Sequence, residues 1–347
     1  MEEPEAVTVD QDGAPVYLPT APRTASPEAS PPVRRGFPRV VVLAGGLSHE
    51  RDVSVRSGRR VAEELRAVGV EVTVHDLDAD LFPLLDQIRP DLVWPLLHGS
   101  TGEDGSVRDL LELAGVRYVG TDPRGSRLAW DKPIAKIVVA RAGIATPEFV
   151  ALPHSVFRET GATRVMAAVV RRLGLPLVVK PARGGSALGV SLVTTPDDLP
   201  RAMVECFSYG DVALVERAVL GTEVAVSIVD VGDGPRVLPA VEIVTEGSYD
   251  YDARYNAGRT EYFAPARLDA AVASAVAQTA LKVHALLGLR HLSRTDLIVD
   301  DAGTPHFLEV NVAPGMTETS LLPQAVLAEG TELGLLYRAI VENALRD

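Results

Sequence analysis

The stretch RTDLIVDDAGTPHFLEVNVAPGMTETS, residues 294–320, carries the strongest structural signal in this chain of 347 residues. Residues 294–299 have the composition of a β-strand, and Asp-Asp-Ala-Gly at 300–303 is typical of a tight turn. Residues 305–311 then predict the returning strand. If this hairpin closes across residues 300 and 305, residue 296 lies opposite residue 309, and residue 294 lies opposite residue 311.

Four polar side chains share one face of the predicted hairpin, because residues two apart on a strand project to the same side. They are Arg294, Asp296, Glu309 and Asn311. Directly opposed side chains have Cβ atoms about 5 Å apart, and two carboxylates that close repel each other unless a cation lies between them. Carboxylate and amide oxygens suit magnesium, and the neighbouring arginine could stabilise an oxyanion.

The same charges are also compatible with a solvated hairpin face, which is common on protein surfaces. The residues that follow favour a binding site instead. Pro314–Thr317 predicts a tight turn whose backbone N–H groups could face an anion. Ser320 stands just beyond this turn, where a helix could begin.

A second candidate site is the glycine-rich stretch 183–189, which follows a predicted strand ending at Lys180. A backbone with few side chains can approach phosphate groups closely. The stretch lacks the Gly-Lys-Ser/Thr of a Walker loop and the glycine spacing of a dinucleotide site. It is therefore either a phosphate-binding loop, which the lysine favours, or a flexible hairpin loop.

The N-terminal part alternates between strand and helix patterns. A buried strand beginning at Arg39 runs into Gly45-Gly46, a helix is expected over 57–68, and strands are expected over 71–75 and 92–97. This alternation predicts a parallel sheet with helices on both faces. Ligands of such sheets bind at the carboxyl ends of the strands, where Gly45-Gly46 and His98-Gly99 both lie.

Later patterns predict further strands and a long helix. The strands are expected over 175–180, 212–216 and 223–229, and the helix over 269–287 with Gly288 placed to cap it. Residues 1–37 differ from the rest, because prolines recur there among small and polar residues. This composition predicts a disordered tail; the alternative is a segment that docks a partner.

Composition excludes several classes of function. A net charge of −13 argues against a nucleic acid or an anionic membrane as a partner. The single cysteine, Cys206, excludes an intramolecular disulfide framework. No apolar run reaches the roughly 18 residues that span a bilayer, and the N-terminus lacks the pattern of a secretory signal. We therefore expect a cytoplasmic protein whose partners are small molecules.

Six blocks of sequence occur in order along the chain. They are 45–54 (GGLSHERDVS), His98-Gly99 with 102–105 (GEDG), Asp131-Lys132, Lys180-Pro181, 249–255 (YDYDARY) and 309–317 (EVNVAPGMT). Together they resemble the D-alanine–D-alanine ligases, a family of the ATP-grasp superfamily, from about residue 39 to the end of the chain.

This resemblance implies an α/β protein with an ATP-grasp fold. A Rossmann-like parallel-sheet substrate domain would occupy 38–130. A central ATP-grasp subdomain would occupy 131–218, and a C-terminal catalytic subdomain would occupy 219–347, both of α+β type. The resemblance also implies an ATP-dependent enzyme that joins two D-alanines through a D-alanyl phosphate for peptidoglycan precursor synthesis, and that acts as a homodimer.

The resemblance assigns a role to each substrate-binding position. Glu50 would hold the ammonium of the first D-alanine near His98, and Ser186 and Tyr255 would join Glu50 in a hydrogen-bonded trio. The second D-alanine and the reaction's oxyanion would be bound by a group further along the chain, made of Arg294, the Gly315 amide, Ser320 and Leu321. The loop 246–262 would be a lid that excludes water.

The nucleotide and metal positions follow in the same way. ATP phosphates would be bound by Lys132, Lys180 and Arg254, and the adenine and ribose edges by Glu216 and Glu223 respectively. Magnesium or manganese, as two ions, would be held by Asp296, Glu309 and Asn311. The chain departs from the family pattern at three positions. Arg254 stands where the family usually has a lysine, Gly184 where it often has a glutamate, and Ala218 where it often has an aromatic residue.

Other functions remain open at this point. A ligase of the same superfamily could use another acceptor, such as D-lactate or an amino acid of specialised metabolism, although Tyr255 favours a dipeptide product. A nucleotide-binding module without catalysis would not need the complete metal face. A dinucleotide oxidoreductase would need the Gly-x-Gly-x-x-Gly sequence that the first glycine turn lacks.

Overall fold

The computed structural model describes residues 38–245 and 260–347. Its first part contains β1 (Arg39–Leu43), α1 (Arg51–Ala67), β2 (Glu71–His75), α2 (Leu81–Ile88), β3 (Leu92–Pro95), α3 (Ser100–Glu103), α4 (Ser106–Leu113) and α5 (Pro123–Trp130). The strands form a parallel sheet in the order β2-β1-β3, which confirms the predicted parallel sheet. The carboxyl ends of β1 and β3 lead to Gly45-Gly46 and to His98.

Two boundaries differ from the prediction in this part. Helix α1 begins at Arg51, six residues before the expected start, because its buried face includes the small polar residues Ser54 and Ser57, which a hydrophobic pattern does not register. Strand β3 ends at Pro95, which has no N–H to donate. The Leu96 N–H still donates to the Leu43 carbonyl at 2.8 Å.

The second part contains α6 (Lys132–Arg141), β4 (Phe149–Pro153), α7 (His154–Thr160), α8 (Ala162–Leu173), β5 (Leu177–Pro181), β6 (Ser191–Val193), α9 (Leu199–Phe207) and β7 (Val212–Arg217). Its strands pair antiparallel in the order β4-β7-β5-β6. The glycine-rich stretch 183–189 connects β5 to β6. Cys206 is buried in the core between this sheet and its helices.

The third part contains β8 (Thr222–Asp230), β9 (Pro235–Val237), β10 (Val241–Thr245), β11 (Thr260–Phe263), α10 (Ala270–Leu286), β12 (Leu292–Val299), β13 (Pro305–Asn311), α11 (Leu321–Ala328) and α12 (Leu333–Ala344). Five strands lie in the order β11-β10-β8-β12-β13, and β9 pairs with β8. Helix α10 begins after Asp269, whose side chain accepts from the Val272 N–H at 2.9 Å. Gly288, at φ +65°, follows its end as predicted.

The two faces of this third sheet bury different cores. Val224, Val226 and Leu297 pack against α10 on one face. On the other face, Ala225 and Val241 belong to a core that also contains residues of the parallel sheet and of α12. Because side chains alternate along a strand, the polar residues of β12 and β13 project from the same face as Ala225. The third sheet thus presents those residues toward the N-terminal part.

The β12–β13 hairpin has the predicted pairing at its site residues, although its turn closes at a different position and β13 contains a bulge. Asp296 pairs with Glu309 and Arg294 pairs with Asn311, as expected. The turn, however, closes one residue earlier than assumed, because the Asp300 N–H donates to Thr304 O and Val299 pairs with Pro305. A bulge at Leu308 adds one residue to β13 and restores the register.

Several predictions concern residues outside the described ranges. These are the tail 1–37, the residues Arg254 and Tyr255, and most of the loop 246–262. The division of the chain at 130/131 and 218/219 stays a prediction. Among the described helices, none has the length and apolar character to cross a bilayer.

Candidate functional site

Three cavities share lining residues along the polar face of β12 and β13. The first and second have Ser186, Arg294 and Asn311 in common, and the second and third have Lys132 and Glu309 in common. The structure brings every described residue of the predicted site to their walls: Glu50, His98, Lys132, Lys180, Ser186, Glu216, Glu223, Arg294, Asp296, Glu309, Asn311, Gly315, Ser320 and Leu321. Their roles stay predictions; their proximity is observed.

The hairpin face contains a buried charge pair. The Arg294 guanidinium donates from Nε and Nη2 to the two oxygens of Asp296, at 2.7 and 2.8 Å. Both side chains are about nine-tenths buried. Residues two apart on a strand lie on one side, so β12 alone creates this bidentate contact. The arginine is therefore held in one orientation beside the first two cavities.

The same face could hold a divalent cation through oxygen atoms. Asp296 and Glu309 are opposed across the hairpin, and Asn311 follows on the same side of β13. No group of three His, Cys, Asp or Glu side chains suited to a metal occurs within the described ranges, so a cation here would depend on two carboxylates and an amide. Lys132 Nζ lies 3.4 Å from Glu309 Oε2 and offsets part of the negative charge.

The first cavity is closed on one side by contacts to Glu50, the residue before α1. Ser186 donates a short hydrogen bond to Glu50 Oε1. Gly185 approaches the same carboxylate so closely that an added Cβ would lie 3.0 Å from Oε1. Ser186 itself has φ +52°, a left-handed conformation unusual for a residue other than glycine. The glycine-rich stretch is thus shaped around Glu50, and Lys132 donates to the Gly184 carbonyl at 2.5 Å.

The opposite wall of the first cavity is the turn before α11. Ser320 precedes this helix, and its hydroxyl accepts from the Thr317 N–H at 2.9 Å. An added Cβ on Gly315 would lie 2.8 Å from Ser320 Oγ, so a larger residue there would displace that hydroxyl. The first N–H groups of a helix have no partner within the helix and favour anions. Leu321, the first residue of α11, therefore supplies a suitable donor for a carboxylate.

The third cavity combines apolar walls with buried charge. Its volume is about 280 Å³, and Val178, Leu192 and Val219 are among its apolar lining residues. At its inner end Lys180 Nζ lies 2.5 Å from Glu216 Oε1. Glu223 lines the same cavity. A cavity with apolar walls next to a buried lysine suits a base attached to phosphates.

Three functional candidates were not identified from the sequence. Lys136 is fully buried and places Nζ 2.8 Å from Glu216 Oε2. Its spacing of four residues from Lys132, one turn of a helix, could have indicated it. Glu103 belongs to a block that carried the resemblance but received no role, although it lines the first two cavities. Ser57 is buried in α1, and no sequence pattern marks it.

The pKa values of two cavity residues depart strongly from their usual range. Burial, followed by the charge of Glu50, raises the pKa of Glu103 to about 8, although the carboxylate accepts from the Gly99 N–H at 2.9 Å. Burial lowers the pKa of His98 to about 4. At neutral pH the imidazole is therefore neutral, and the Glu103 carboxyl is largely protonated.

Two of the three departures from the family pattern lie in the described ranges. Gly184 has φ +138°, a conformation that favours glycine, and an added Cβ would meet only Pro181, at 4.0 Å. A side chain at residue 184 would therefore be disfavoured by the backbone conformation and not by a lack of space. Ala218 lines the third cavity, so its small side chain leaves that wall open where an aromatic ring would narrow it.

Comparisons with known proteins agree with this geometry. A family model described as "D-ala D-ala ligase C-terminus" matches residues 138–343. The D-alanine–D-alanine ligase of Moorella thermoacetica is 38% identical over 308 residues, covering 88% of this chain and 99% of that protein.

Solved structures resemble the fold as well. A D-alanine–D-alanine ligase from Bacillus anthracis complexed with ATP is 29% identical, with a TM-score of 0.75 over 89% of this chain and 98% of the other. The VanG D-Ala:D-Ser ligase from Enterococcus faecalis is 27% identical, with a TM-score of 0.75 over 89% and 99%. The ATP-grasp fold of the prediction is thereby confirmed, and this chain belongs to the D-alanine–D-alanine ligase family.

Proposed function

We propose that this protein is an ADP-forming ligase that uses ATP to join two D-alanine molecules, and that the dipeptide enters peptidoglycan precursor synthesis. The observation that carries the proposal is the continuity of the site. Glu50, suited to an ammonium group, lines the first cavity, and Lys180, suited to phosphates, lines the third. The second cavity shares lining residues with both. A carboxylate substrate and the phosphates of ATP can therefore meet at the hairpin face.

The first step would be attack of the first D-alanine's carboxylate on the γ-phosphate, which gives an acyl phosphate and ADP. Glu50 would pair with the substrate's ammonium, and Lys132 and Lys180 would bind the phosphates. Phosphoryl transfer of this kind depends mainly on positioning and on charge neutralisation. Glu216 and Glu223 would bind the nucleoside in the third cavity.

Asp296, Glu309 and Asn311 fit a magnesium or manganese site, because each offers an oxygen from one face of the hairpin. Divalent cations bound there, two in this proposal, would neutralise charge on the transferred phosphoryl group. The pairing of Asp296 with Arg294 supports this assignment. Each carboxylate oxygen accepts one hydrogen bond from the arginine and keeps a lone pair for a cation.

In the second step the amine of the second D-alanine would attack the acyl phosphate, and inorganic phosphate would leave. Arg294 and the Gly315 N–H would stabilise the tetrahedral oxyanion, and a donor of this kind is typically worth about 3–4 kcal/mol. Ser320 and the Leu321 N–H would bind the second carboxylate at the start of α11. Arg254 on the transferred phosphate, and Tyr255 in the trio with Glu50 and Ser186, are proposed from the resemblance.

The organisation of the protein is proposed on the same basis. The substrate domain would span 38–130, and the ATP-grasp subdomains would span 131–218 and 219–347. The protein would act as a homodimer in the cytoplasm, where peptidoglycan precursors are built. Light scattering after size-exclusion chromatography would test the dimer, and fractionation of the source cells would test the location.

The decisive experiment is a phosphate-release assay with ATP, Mg²⁺ and a panel of D- and L-amino acids and D-lactate, with mass detection of products. We expect release that requires D-alanine and yields the dipeptide. D-Serine or D-lactate as the preferred acceptor would instead identify a related ligase. Absence of release with every substrate would reject the ligase and favour a nucleotide-binding module.

A further inference from the structure

A buried set of hydrogen bonds joins α1 to the turn that follows β13. The Met316 N–H donates to Ser57 Oγ at 3.0 Å, and Ser57 Oγ lies 3.3 Å from His98 Nε2. Ser57 and Met316 are fully buried, and His98 is 5% exposed at the wall of the first cavity. The turn itself, residues 313–316, contains Gly315 and lacks regular secondary structure.

The donors and acceptors of this set can be assigned from the chemistry. A backbone N–H only donates, so Met316 occupies a lone pair of Ser57 Oγ. The hydroxyl proton is then directed to His98 Nε2, which must be the unprotonated nitrogen of the ring. The alternative tautomer would make both the Met316 N–H and Nε2–H donors to this oxygen and leave the hydroxyl proton without an acceptor among these groups.

The other side of the ring completes the assignment. A hydrogen bond also joins the His98 ring to the backbone of Ala313. The Ala313 N–H is already donated to Asn311 Oδ1 at 2.8 Å. The Ala313 carbonyl is therefore the acceptor, and Nδ1 is the nitrogen that donates to it.

Both ends of this chain of hydrogen bonds lie on one short turn. It runs from the Met316 N–H through Ser57 and His98 back to the Ala313 carbonyl, and Gly315 lies between those two ends. Pro314 has no N–H, and Gly315 has no side chain, so the turn has few contacts of its own with which to fix its shape. The imidazole is neutral because burial lowers its pKa, and the positive charge of Arg294 acts in the same direction.

We propose that Ser57 and His98 are positioning residues that hold the 313–316 turn, through a neutral imidazole protonated on Nδ1, so that the Gly315 N–H faces the first cavity. The proposal rests on the proposed function, in which that N–H binds the oxyanion. It gives Ser57 a role and makes His98 a support of the turn. A displacement of about 1 Å in such a group can lower a rate about a hundredfold.

The tautomer is measured in the wild-type protein, and a variant serves only to assign the resonance. In protein labelled with ¹⁵N-histidine, two-bond ¹⁵N–¹H spectra distinguish protonated from unprotonated ring nitrogens, and His98→Asn identifies the resonance among the seven histidines. We expect His98 protonated on Nδ1 and no titration between about pH 5.5 and 8. A ring protonated on Nε2, or one that titrates near its ordinary pKa, would overturn the proposal.

The positioning role is tested with a control inside the same chain. Ser293 is fully buried and forms an equivalent bond, 2.8 Å from His284 Nδ1, on the other core of the third sheet. Ser57→Ala should lower kcat for dipeptide formation about tenfold or more, with KM for ATP changed less than about twofold. Ser293→Ala should lower the free energy of unfolding by a similar amount and keep kcat within about twofold of the wild type.

Two further results separate the possible failures. Ser57→Cys, which keeps a group able to accept and donate hydrogen bonds, should recover part of the kcat lost in Ser57→Ala. Equal rates for Ser57→Ala and Ser293→Ala would reject the positioning role. A wild-type protein that releases no phosphate with any substrate would reject the proposed function. The tautomer measurement would still decide whether the hydrogen bonds through Ser57 and His98 that bracket Gly315 exist.

Discussion

Lys136 Nζ lies 2.8 Å from Glu216 Oε2, and both side chains are almost completely buried. Lys180 reaches the other oxygen of the same carboxylate at 2.5 Å. Of these two lysines, Lys180 lines the third cavity and Lys136 does not. Lys136 is also held by Thr146 Oγ1 at 2.8 Å and by the Phe307 carbonyl at 3.2 Å. Lys136 can therefore keep Glu216 neutralised when Lys180 turns to a phosphate.

Replacing Lys136 with methionine tests whether Lys136 neutralises Glu216. The carboxylate of Glu216 would keep only Lys180 as its counter-ion, so KM for ATP should rise about tenfold or more. Breaking a buried pair also typically costs about 3–5 kcal/mol of unfolding free energy. Steady-state kinetics and urea denaturation would measure the two effects separately.

The control for that substitution removes the charge from both partners. In a Glu216→Gln background no carboxylate is left for Lys136 to neutralise, so Lys136→Met should cost less unfolding free energy there than it does in the wild type. An equal cost in both backgrounds, measured by urea denaturation, would show that Lys136 does not act through Glu216.

Glu309→Gln should change the dependence of the rate on magnesium. The amide keeps the shape of the side chain but removes the negative charge that attracts a cation, so half-maximal activity should require about tenfold more Mg²⁺ or Mn²⁺. Asp301→Asn is the matched control, because Asp301 is an exposed carboxylate in the turn of the same hairpin. An unchanged Mg²⁺ titration for Glu309→Gln would remove this residue from the cation site.

Much of the hairpin could be predicted because it depends on local rules. Alternation along two strands and a turn sequence place Asp296 opposite Glu309, and the predicted face is correct. The bulge at Leu308 was not predictable, because a bulge adds one residue without a sequence signature. The assumed closure between residues 300 and 305 gave the right pairing only because the early closure and the bulge compensate each other.

The residues that sequence reasoning missed are those whose role depends on distant parts of the chain. Ser57 contacts a backbone N–H 259 positions away, and Lys136 contacts a carbonyl 171 positions away. A buried serine or lysine also contradicts the usual pattern of burial, so periodicity alone would have assigned both to the surface. Only the packed structure identifies their partners.

Arg294→Ala should reduce dipeptide formation about a hundredfold or more, because it removes the proposed oxyanion donor. It also leaves the buried Asp296 without its bidentate partner, so a loss of unfolding free energy should accompany it. Arg294→Lys keeps the charge but not the planar fork and separates the two effects. A reduction of less than about fivefold in the alanine variant would contradict the assignment.

Glu103 gives the prediction that depends on pH. Its pKa is raised to about 8, by burial first and by Glu50 second, so the carboxyl is mostly protonated at pH 7, and Glu103→Gln should stay within about threefold of the wild-type rate. As pH rises through 8 the wild type must ionise this buried group. The variant need not. The wild type should lose unfolding free energy relative to the variant between about pH 4.5 and 8, where only the unfolded protein ionises this carboxyl, and the difference should level off above pH 8. The ratio of variant to wild-type activity should rise between pH 7 and 9. Because both proteins use the same acceptor amine, titration of the substrate cancels in the ratio. A variant that is inactive at pH 7 would show instead that the ionised carboxylate is required.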